Sequence, residues 1–503
     1  MLLKKDMKRE PKDEAPGSGD SGVGPVGDRT HPKDAQGLGE AFAGKSAETR
    51  QRIFFAALKV FTSYPYSAAS IRMIGDEAGV RHPLVLHYFG SKLALFEEVA
   101  KYLEDRVLDS GPPFLKNLRN LSSDEGFDRF LDDIINHGFK RTESYRAIML
   151  NMGEARSLEK ALPGLNRMTD VREKAQKMVG GRALGGAPPL ETEMFLLVFI
   201  LSLSHFVGAA DFHRMALGIE SEEDYRSWVH ETFRFLFRPV LKVLSRNRPT
   251  SALQETPQAI DEENSAHLPP PTGPADRDDE KAREKAGNGQ AGNGGCKSEE
   301  TRKRIIRAAR KVFSRHPYNA ASIRMIGQAG NFDFTKIHHF YPTKEHLFEA
   351  VAKDLFEEFT RAAEEWRVGL TGLDVNEIFA LYLKRALDYI FKNPEAIGLL
   401  MHNIPQYARF RHVVGFDYIA RFHARMLYTI KAFMPPDSPE QTVRLWLYTI
   451  ITMVYTFAGS PDYLSNLMGV PTDSDFYRRR IYETLVFVFM PSFFLFTNQI
   501  ENG

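Results

Sequence analysis

IGDEAGVRHPLVLHYFGSKLALF, residues Ile74–Phe96, is the stretch that decides the fold. Ser70 stands where a helix N-cap belongs, and Ile71, Ile74 and Ala78 recur at helical spacing, so a short helix opens there with one apolar face. Gly79 supplies the tight turn that follows, since glycine reaches positive φ at little cost. Val80 packs in that turn, and a third short helix is expected over roughly His82 to Tyr88. A fourth begins near Ser91, with Leu95, Phe96 and Val99 inward. Upstream, Ile53, Ala56, Ala57, Val60 and Phe61 form the stripe of an amphipathic helix. Ser46 or Thr49 is expected to cap its start, and Pro65 to stop it. Two short helices joined by a glycine turn, the second presenting polar side chains, is the helix-turn-helix layout.

The pattern occurs twice. Thr49–Gly75 reads TRQRIFFAALKVFTSYPYSAASIRMIG and Thr301–Gly327 reads TRKRIIRAARKVFSRHPYNAASIRMIG, 19 identities in 27 positions at a spacing of 252. The repeat fades after Leu95-Phe96 and Leu347-Phe348, then returns where Glu231-Thr232-Phe233 and Pro239 face Glu483-Thr484-Leu485 and Pro491. A unit of this size is a whole domain pair, not a solenoid repeat.

Composition fits a globular protein: 503 residues, 43% hydrophobic, 26% charged, formal net charge +1. Nothing in the whole-chain charge points to nucleic acid, so a basic footprint has to be local. One cysteine, Cys296, excludes a disulfide framework or thiolate metal site and fits a reducing compartment. The polar start predicts no signal peptide, and the apolar runs Phe195–Leu203 and Leu485–Phe496 read as too short to span a bilayer, so no membrane partner is expected and the location is read as cytoplasmic. Residues 1–44 and 247–296 are Gly-, Pro- and charge-rich and read as a disordered tail and a flexible linker. Gly287, Gly289 and Gly292 satisfy GxGxxG there, but no strand pattern precedes them and no helix pattern opens on them. The chain thus divides into helix-turn-helix domains at 45–110 and 297–362 and helical domains at 111–246 and 363–503.

Ile74–Phe96 resembles the DNA-binding signature of the TetR (tetracycline-repressor-like) family, approximately I-A-x-x-A-G-V-S-x-x-x-L-Y-x-H-F-x-S-K-x-x-L. Ile326–Phe348, IGQAGNFDFTKIHHFYPTKEHLF, resembles it with more departures. The resemblance implies an all-α chain of two tandem units, each a helix-turn-helix domain followed by a helical effector-binding and dimerisation domain. It implies a DNA-binding regulator, a repressor released by a small molecule, with no enzymatic activity and no cofactor.

Family roles carry over position by position. The third helix would enter the major groove, placing Arg81, His82, Leu84, His87 and Tyr88 of copy one, and Asp333, Phe334, Thr335, Lys336 and His338 of copy two, near base edges. Ser70, Arg72 and Lys92, with Ser322, Arg324 and Lys344, would meet phosphates. Lys297, Arg302, Lys303, Arg304, Arg307, Arg310, Lys311 and Arg315 add a basic surface to the first helix of copy two, while Val85 and Ile337 read as core. Copy one departs from the pattern in having Arg81 where a capping residue belongs, at a cost of about 1 kcal/mol, and Pro83 in the first turn, where a missing N–H is tolerated. An arginine at position 81 could grip a guanine in a bidentate way. Copy two has Asn331 in place of the turn glycine and Asp333 at the cap, which favours the helix but repels phosphate. The reading helices share almost no exposed residue and cannot read the same half-site. His338-His339, His205, His213, His402, His412 and His423 lack metal-ligand spacing.

The helical domains carry segments apolar nearly all round, Glu193–Gly208 and Arg444–Gly459. Phe195, Phe199, Phe206, Trp446, Tyr448 and Tyr455 either line a pocket for a largely apolar effector or form core and interface. The late helices, Glu193–Gly208 and Arg226–Val240 with Arg444–Gly459 and Tyr477–Phe496, are expected to join the two copies as an intrachain pseudo-dimer. About 50 linker residues would span roughly 40 Å and hold the copies at about millimolar effective concentration. The competing arrangement is a homodimer of chains. Two other readings stand: a degenerate second copy serving as a protein- or ligand-binding module, or a small-molecule unit that has lost DNA binding.

Overall fold

The computed structural model describes residues 44–108, 121, 123–153, 189–245, 293–431, 440–472 and 474–501. Residues 1–43 and nearly all of the stretch read as linker lie outside them. Of Met1–Gln51 little more than the start of the first helix is described; the described residues from Arg52 onward form one compact unit.

Every described element is helical. Copy one contributes α1 (Lys45–Phe61), α2 (Ile71–Ala78), α3 (His82–Phe89), α4 (Lys92–Leu108), α5 (Asp124–Phe139), α6 (Thr142–Met152), α7 (Pro189–Gly208), α8 (Ala210–Leu217) and α9 (Glu222–Ser245). Copy two contributes α10 (Asn293–Phe313), α11 (Ile323–Gly330), α12 (Phe334–Phe340), α13 (Lys344–Glu365), α14 (Val375–Lys392) and α15 (Glu395–Asn403). After a 3₁₀ turn over Ile404–Gln406 come α16 (Tyr407–Phe410), α17 (Asp417–Lys431), α18 (Glu440–Gly459), α19 (Pro461–Met468) and α20 (Asp475–Glu501).

Two expectations from sequence are corrected at helix starts. Ser46 and Thr49 do not cap α1, which begins at Lys45, before either of them. The long helix of copy two opens at Asn293, directly after Gly292 and inside the stretch read as linker, although no strand precedes it among the described residues.

The late helices of the two copies pack on one another: α7 and α9 touch both α18 and α20. Side chains from both copies interlock along this seam. The rings of Phe206 and Trp228 lie 6.5 and 5.7 Å from Tyr448, and Phe212 lies 5.3 Å from Tyr407 and 5.6 Å from His423. Ser202 Oγ donates to Met453 Sδ at 3.3 Å. The helix Leu190–Gly208 is long and apolar enough by length and composition to cross a membrane, which corrects the shorter run read from sequence, but 78% of its apolar window is buried against other helices. Its apolarity is that of a helix surrounded on several sides.

The cores of the two halves are not equivalent. In copy two, α10–α13 share one continuous apolar cluster with the helical domains, running from Ile305 and Phe313 through Leu347 and Phe348 to Leu400 and Tyr448. In copy one, α1–α4 close a separate cluster of their own, from Ile53 to Leu103.

Candidate nucleic-acid interface

Each helix-turn-helix is built by the same local devices. Ser70 and Ser322 accept from the backbone N–H of Met73 and Met325 at 3.2 Å, capping α2 and α11. Each hydroxyl oxygen accepts that bond and keeps its own O–H as a donor. Gly79 (φ +65°) and Asn331 (φ 54°) take the left-handed turn, asparagine being the non-glycine residue that tolerates it best. Four residues earlier, Gly75 and Gly327 let the turn close: a Cβ there would stand 2.9 Å from Val80 O and 2.8 Å from Phe332 O. That close approach sets the angle between the two helices of the motif.

The reading helices α3 and α12 are anchored by Val85 and Ile337, both fully buried. Arg81 makes no side-chain cap bond, so its guanidinium is left to the exposed face, and Pro83 sits in the first turn. His82 and His87 are exposed, Leu84 and Tyr88 half-buried; His87 packs edge-on against Tyr88 at 5.5 Å. Leu86, which the sequence reading passed over, is also outward at 41% exposure. Its position, five residues past Arg81 on the far side of Val85 from the core, was the available signal. In copy two Asp333 caps α12, accepting from Thr335 N at 2.8 Å, and that bond holds its carboxyl below the usual range. Phe334 is 63% exposed, while Thr335, Lys336 and His338 are exposed beside it. His338 Nδ1 lies 3.1 Å from Pro342 O, which turns its ring along the helix.

The flanking cations are less alike than the sequence suggests. Arg72 is exposed and reaches Asp76 at 3.9 Å; Arg324 is exposed on the matching turn. Lys344 is half-buried: its ammonium donates to Tyr318 O at 2.9 Å and Ala321 O at 3.2 Å over the Tyr318 ring, and burial lowers its pKa. Lys92 sits likewise 4.1 Å over the Tyr66 ring. An ammonium carries three donors, so Lys344 keeps one after its two carbonyl bonds.

The basic footprint of α10 is corrected at Arg310. Its guanidinium bonds Glu395 and Glu358 at 2.7 Å and Asp354 at 3.0 Å, turned inward to α13 and α15 and not to solvent. Those hydrogen bonds and charges outweigh its burial and raise its pKa. Arg302 donates to Tyr341 Oη at 3.2 Å, and Arg307 pairs with Glu300 at 2.9 Å. Lys297 lies in the part of α10 whose side chains fall outside the described residues.

A cavity of about 50 Å³ lies in the helical domain of copy two, among Phe379, Tyr382, Met426, Trp446, Tyr455 and Phe493 and further aliphatic side chains. Of the six aromatic residues read from sequence as pocket or core, Trp446 and Tyr455 border this cavity, and Phe195, Phe199, Phe206 and Tyr448 do not. Phe199 instead packs 5.6 Å from Phe130, 5.1 Å from Phe233 and 4.8 Å from Phe237, filling the interior of copy one with rings. Phe206 and Tyr448 belong to the seam between copies. Beside them lies a feature the sequence did not disclose. His205 Nδ1 is 2.7 Å from His213 Nε2, whose Nδ1 is 2.6 Å from Tyr448 Oη, all fully buried. Burial keeps these histidines neutral, His205 pushed down to about 3. Among the described residues no group of three or more ligands could hold a metal ion.

Two capped, glycine-closed helix pairs, each presenting the outer face of its second helix and flanked by cations, have the helix-turn-helix layout of DNA-binding domains. The family of bacterial regulatory proteins of the tetR type matches residues 53–99 and again 305–351. The chain thus carries two tetR-type regulatory-protein domains in tandem, at those residues. It is similar to the HTH-type transcriptional repressor NicS of Pseudomonas putida, 26% identical over 103 residues that make up 20% of this chain and 48% of that protein. The match thus spans about half the length of the curated relative.

Proposed function

We propose that the protein is a cytoplasmic repressor whose single chain sets two unlike reading heads on one operator with non-identical half-sites. The observation that carries this reading is the packing of α7 and α9 on α18 and α20 within one chain. Helices that would join two identical subunits in a homodimer are supplied here by two copies in tandem. Because α3 presents Arg81, His82, Leu84, His87 and Tyr88 while α12 presents Asp333, Phe334, Thr335, Lys336 and His338, the two heads choose different bases. Arg81 reads guanine through its fork, and Phe334 meets a thymine methyl. Ser70, Arg72 and Lys92, with Ser322, Arg324 and Lys344, hold phosphates and supply affinity without sequence choice.

A small, largely apolar effector enters the cavity of copy two between Trp446, Tyr455 and their neighbours and lowers DNA affinity. It acts only through a difference in affinity between the DNA-competent and released arrangements. Asp333 favours a second reading, in which head two is a weak or silent reader: a carboxylate at the first turn of α12 is repelled by phosphate. Selection of bound duplexes from a random pool tests both. The expected outcome is a bipartite site with two different half-sites. A palindrome contradicts the two-unlike-heads reading, and a lone half-site supports the silent second head.

A further inference from the structure

The two heads are held by different means, although their helix-turn-helix motifs are alike. Head two is merged with the core: its cluster is continuous with the helical domains, Arg310 ties α10 to α13 and α15 through three carboxylates, and Gly398 meets Ser314 O so closely that a Cβ would stand 2.3 Å away. Head one has its own core. It is joined to the rest at the end of α4, where Ser144, Arg141 and His137 bond the carbonyls of Leu103, Arg106 and Val107 at 3.0, 2.5 and 3.0 Å. The position matching Arg310 at the repeat spacing is Leu58, which cannot form such a network.

One latch is common to both. Asn151 Oδ1 accepts from Tyr66 N and Asn403 Oδ1 from Tyr318 N, each at 2.9 Å. Between these corners lies α16. Phe410 packs 5.6 Å from the Tyr318 ring of head two. Its neighbour Arg409 crosses to head one, donating to Ser63 O at 3.1 Å and to Tyr64 Oη, with its guanidinium 3.7 Å over the Tyr64 ring. Two consecutive residues of copy two therefore touch the same corner of both heads, one by an apolar ring and one by a cation.

We infer that α16 is the spacer that fixes the separation of the two reading heads, with Arg409 as the positioning residue that pins head one. Head two is the fixed reference, and head one takes its place relative to it from Arg409, Asn151 and the end of α4. The inference rests on the two-headed reading above for its DNA assay, and on exchange for a test that does not need it.

The test uses the full chain and its Arg409→Met variant, which keeps the stem and removes the charged fork. Affinity is measured on the selected bipartite duplex and on one lengthened between half-sites by five base pairs, about half a DNA turn. The wild type is expected to separate the two duplexes sharply, and Arg409→Met to shrink that ratio at least about threefold, the worth of an exposed cation–π contact. Affinity for an isolated head-one half-site should stay unchanged. Amide exchange should quicken in α2 and α3 but not in α11 and α12. Tyr64→Leu, which removes the other partner, should give the same pattern if Arg409→Met does not fold. An unaltered spacing ratio with unaltered exchange overturns the inference, as does exchange quickened equally in both heads. A wild type that ignores spacing defeats the two-headed reading, and the exchange comparison then still decides the role of Arg409.

Discussion

Replacing Tyr448 by phenylalanine tests the seam between the copies with a single atom. The ring keeps its packing on Phe206, Trp228 and His423. Only the hydroxyl at 2.6 Å from His213 Nδ1 is lost. A neutral imidazole has one donor and one acceptor nitrogen, and both nitrogens of His213 are paired when Tyr448 donates to its Nδ1 and its Nε2–H donates to His205 Nδ1. Without the hydroxyl, a fully buried ring nitrogen is left without its partner, which costs about 1–3 kcal/mol, more than the roughly 1 kcal/mol a satisfied hydrogen bond contributes. Urea unfolding should show that loss as a lowered midpoint with the slope unchanged. In a double-mutant cycle with His213→Leu, the phenylalanine change should cost about 1 kcal/mol or more less than it does alone, because the stranded partner is gone. A Tyr448→Phe loss below about 0.3 kcal/mol together with zero coupling would mean that no bond joins the copies at this point.

Further outcomes follow from the same geometry. Burial holds His205 and His423 down to about 3 and His402 to about 4, so the native state keeps them neutral; an unfolded chain protonates them near 6.5. Their contribution is complete above pH 6.5 and is lost as pH falls toward the folded values, by up to about 1.4 kcal/mol per pH unit for each, so urea midpoints should drop steeply between pH 6.5 and 4 and be flat above 7. Arg81→Ala should relax base choice in one half-site at a cost of about 1–3 kcal/mol on the cognate duplex, whereas Lys92→Ala should weaken cognate and scrambled duplexes alike, both read by competition binding. Binding to any duplex should weaken steeply between 50 and 200 mM salt, as phosphate neutralisation requires. Filling the cavity by Ala386→Phe should abolish release of DNA by an apolar effector without lowering DNA affinity in its absence; effector release that survives the change would place the effector elsewhere.

How far the sequence could be read depends on the range of the interaction. Ser70, Gly79, Asn331, Pro65 and Val85 act within a few residues, and their roles are legible because caps, turns and buried anchors are set by local backbone chemistry. The helical domains yield their helices but not their partners. Phe195 and Trp446 both sit in apolar stretches, yet one fills a ring cluster and the other borders a cavity, a difference decided by what packs against them from other helices. Arg310 reads as surface charge because its three carboxylates lie 44 to 85 positions away. Two signals were present and unused. Asn151 and Asn403 stand at the repeat spacing of 252 in a region where little else repeats. Leu58 against Arg310 in otherwise matching helices announced that the two heads are fastened differently. Arg409 could not have been found, since its partners lie 345 and 346 positions earlier in the other copy.

The proposed DNA-reading unit is one chain of 57.1 kDa. Mass measurement in solution, free and on the selected bipartite duplex, tests it most directly. A particle of one chain mass that binds one duplex as a single chain is expected. A stable particle of two chains, free and on a palindromic site, would contradict it.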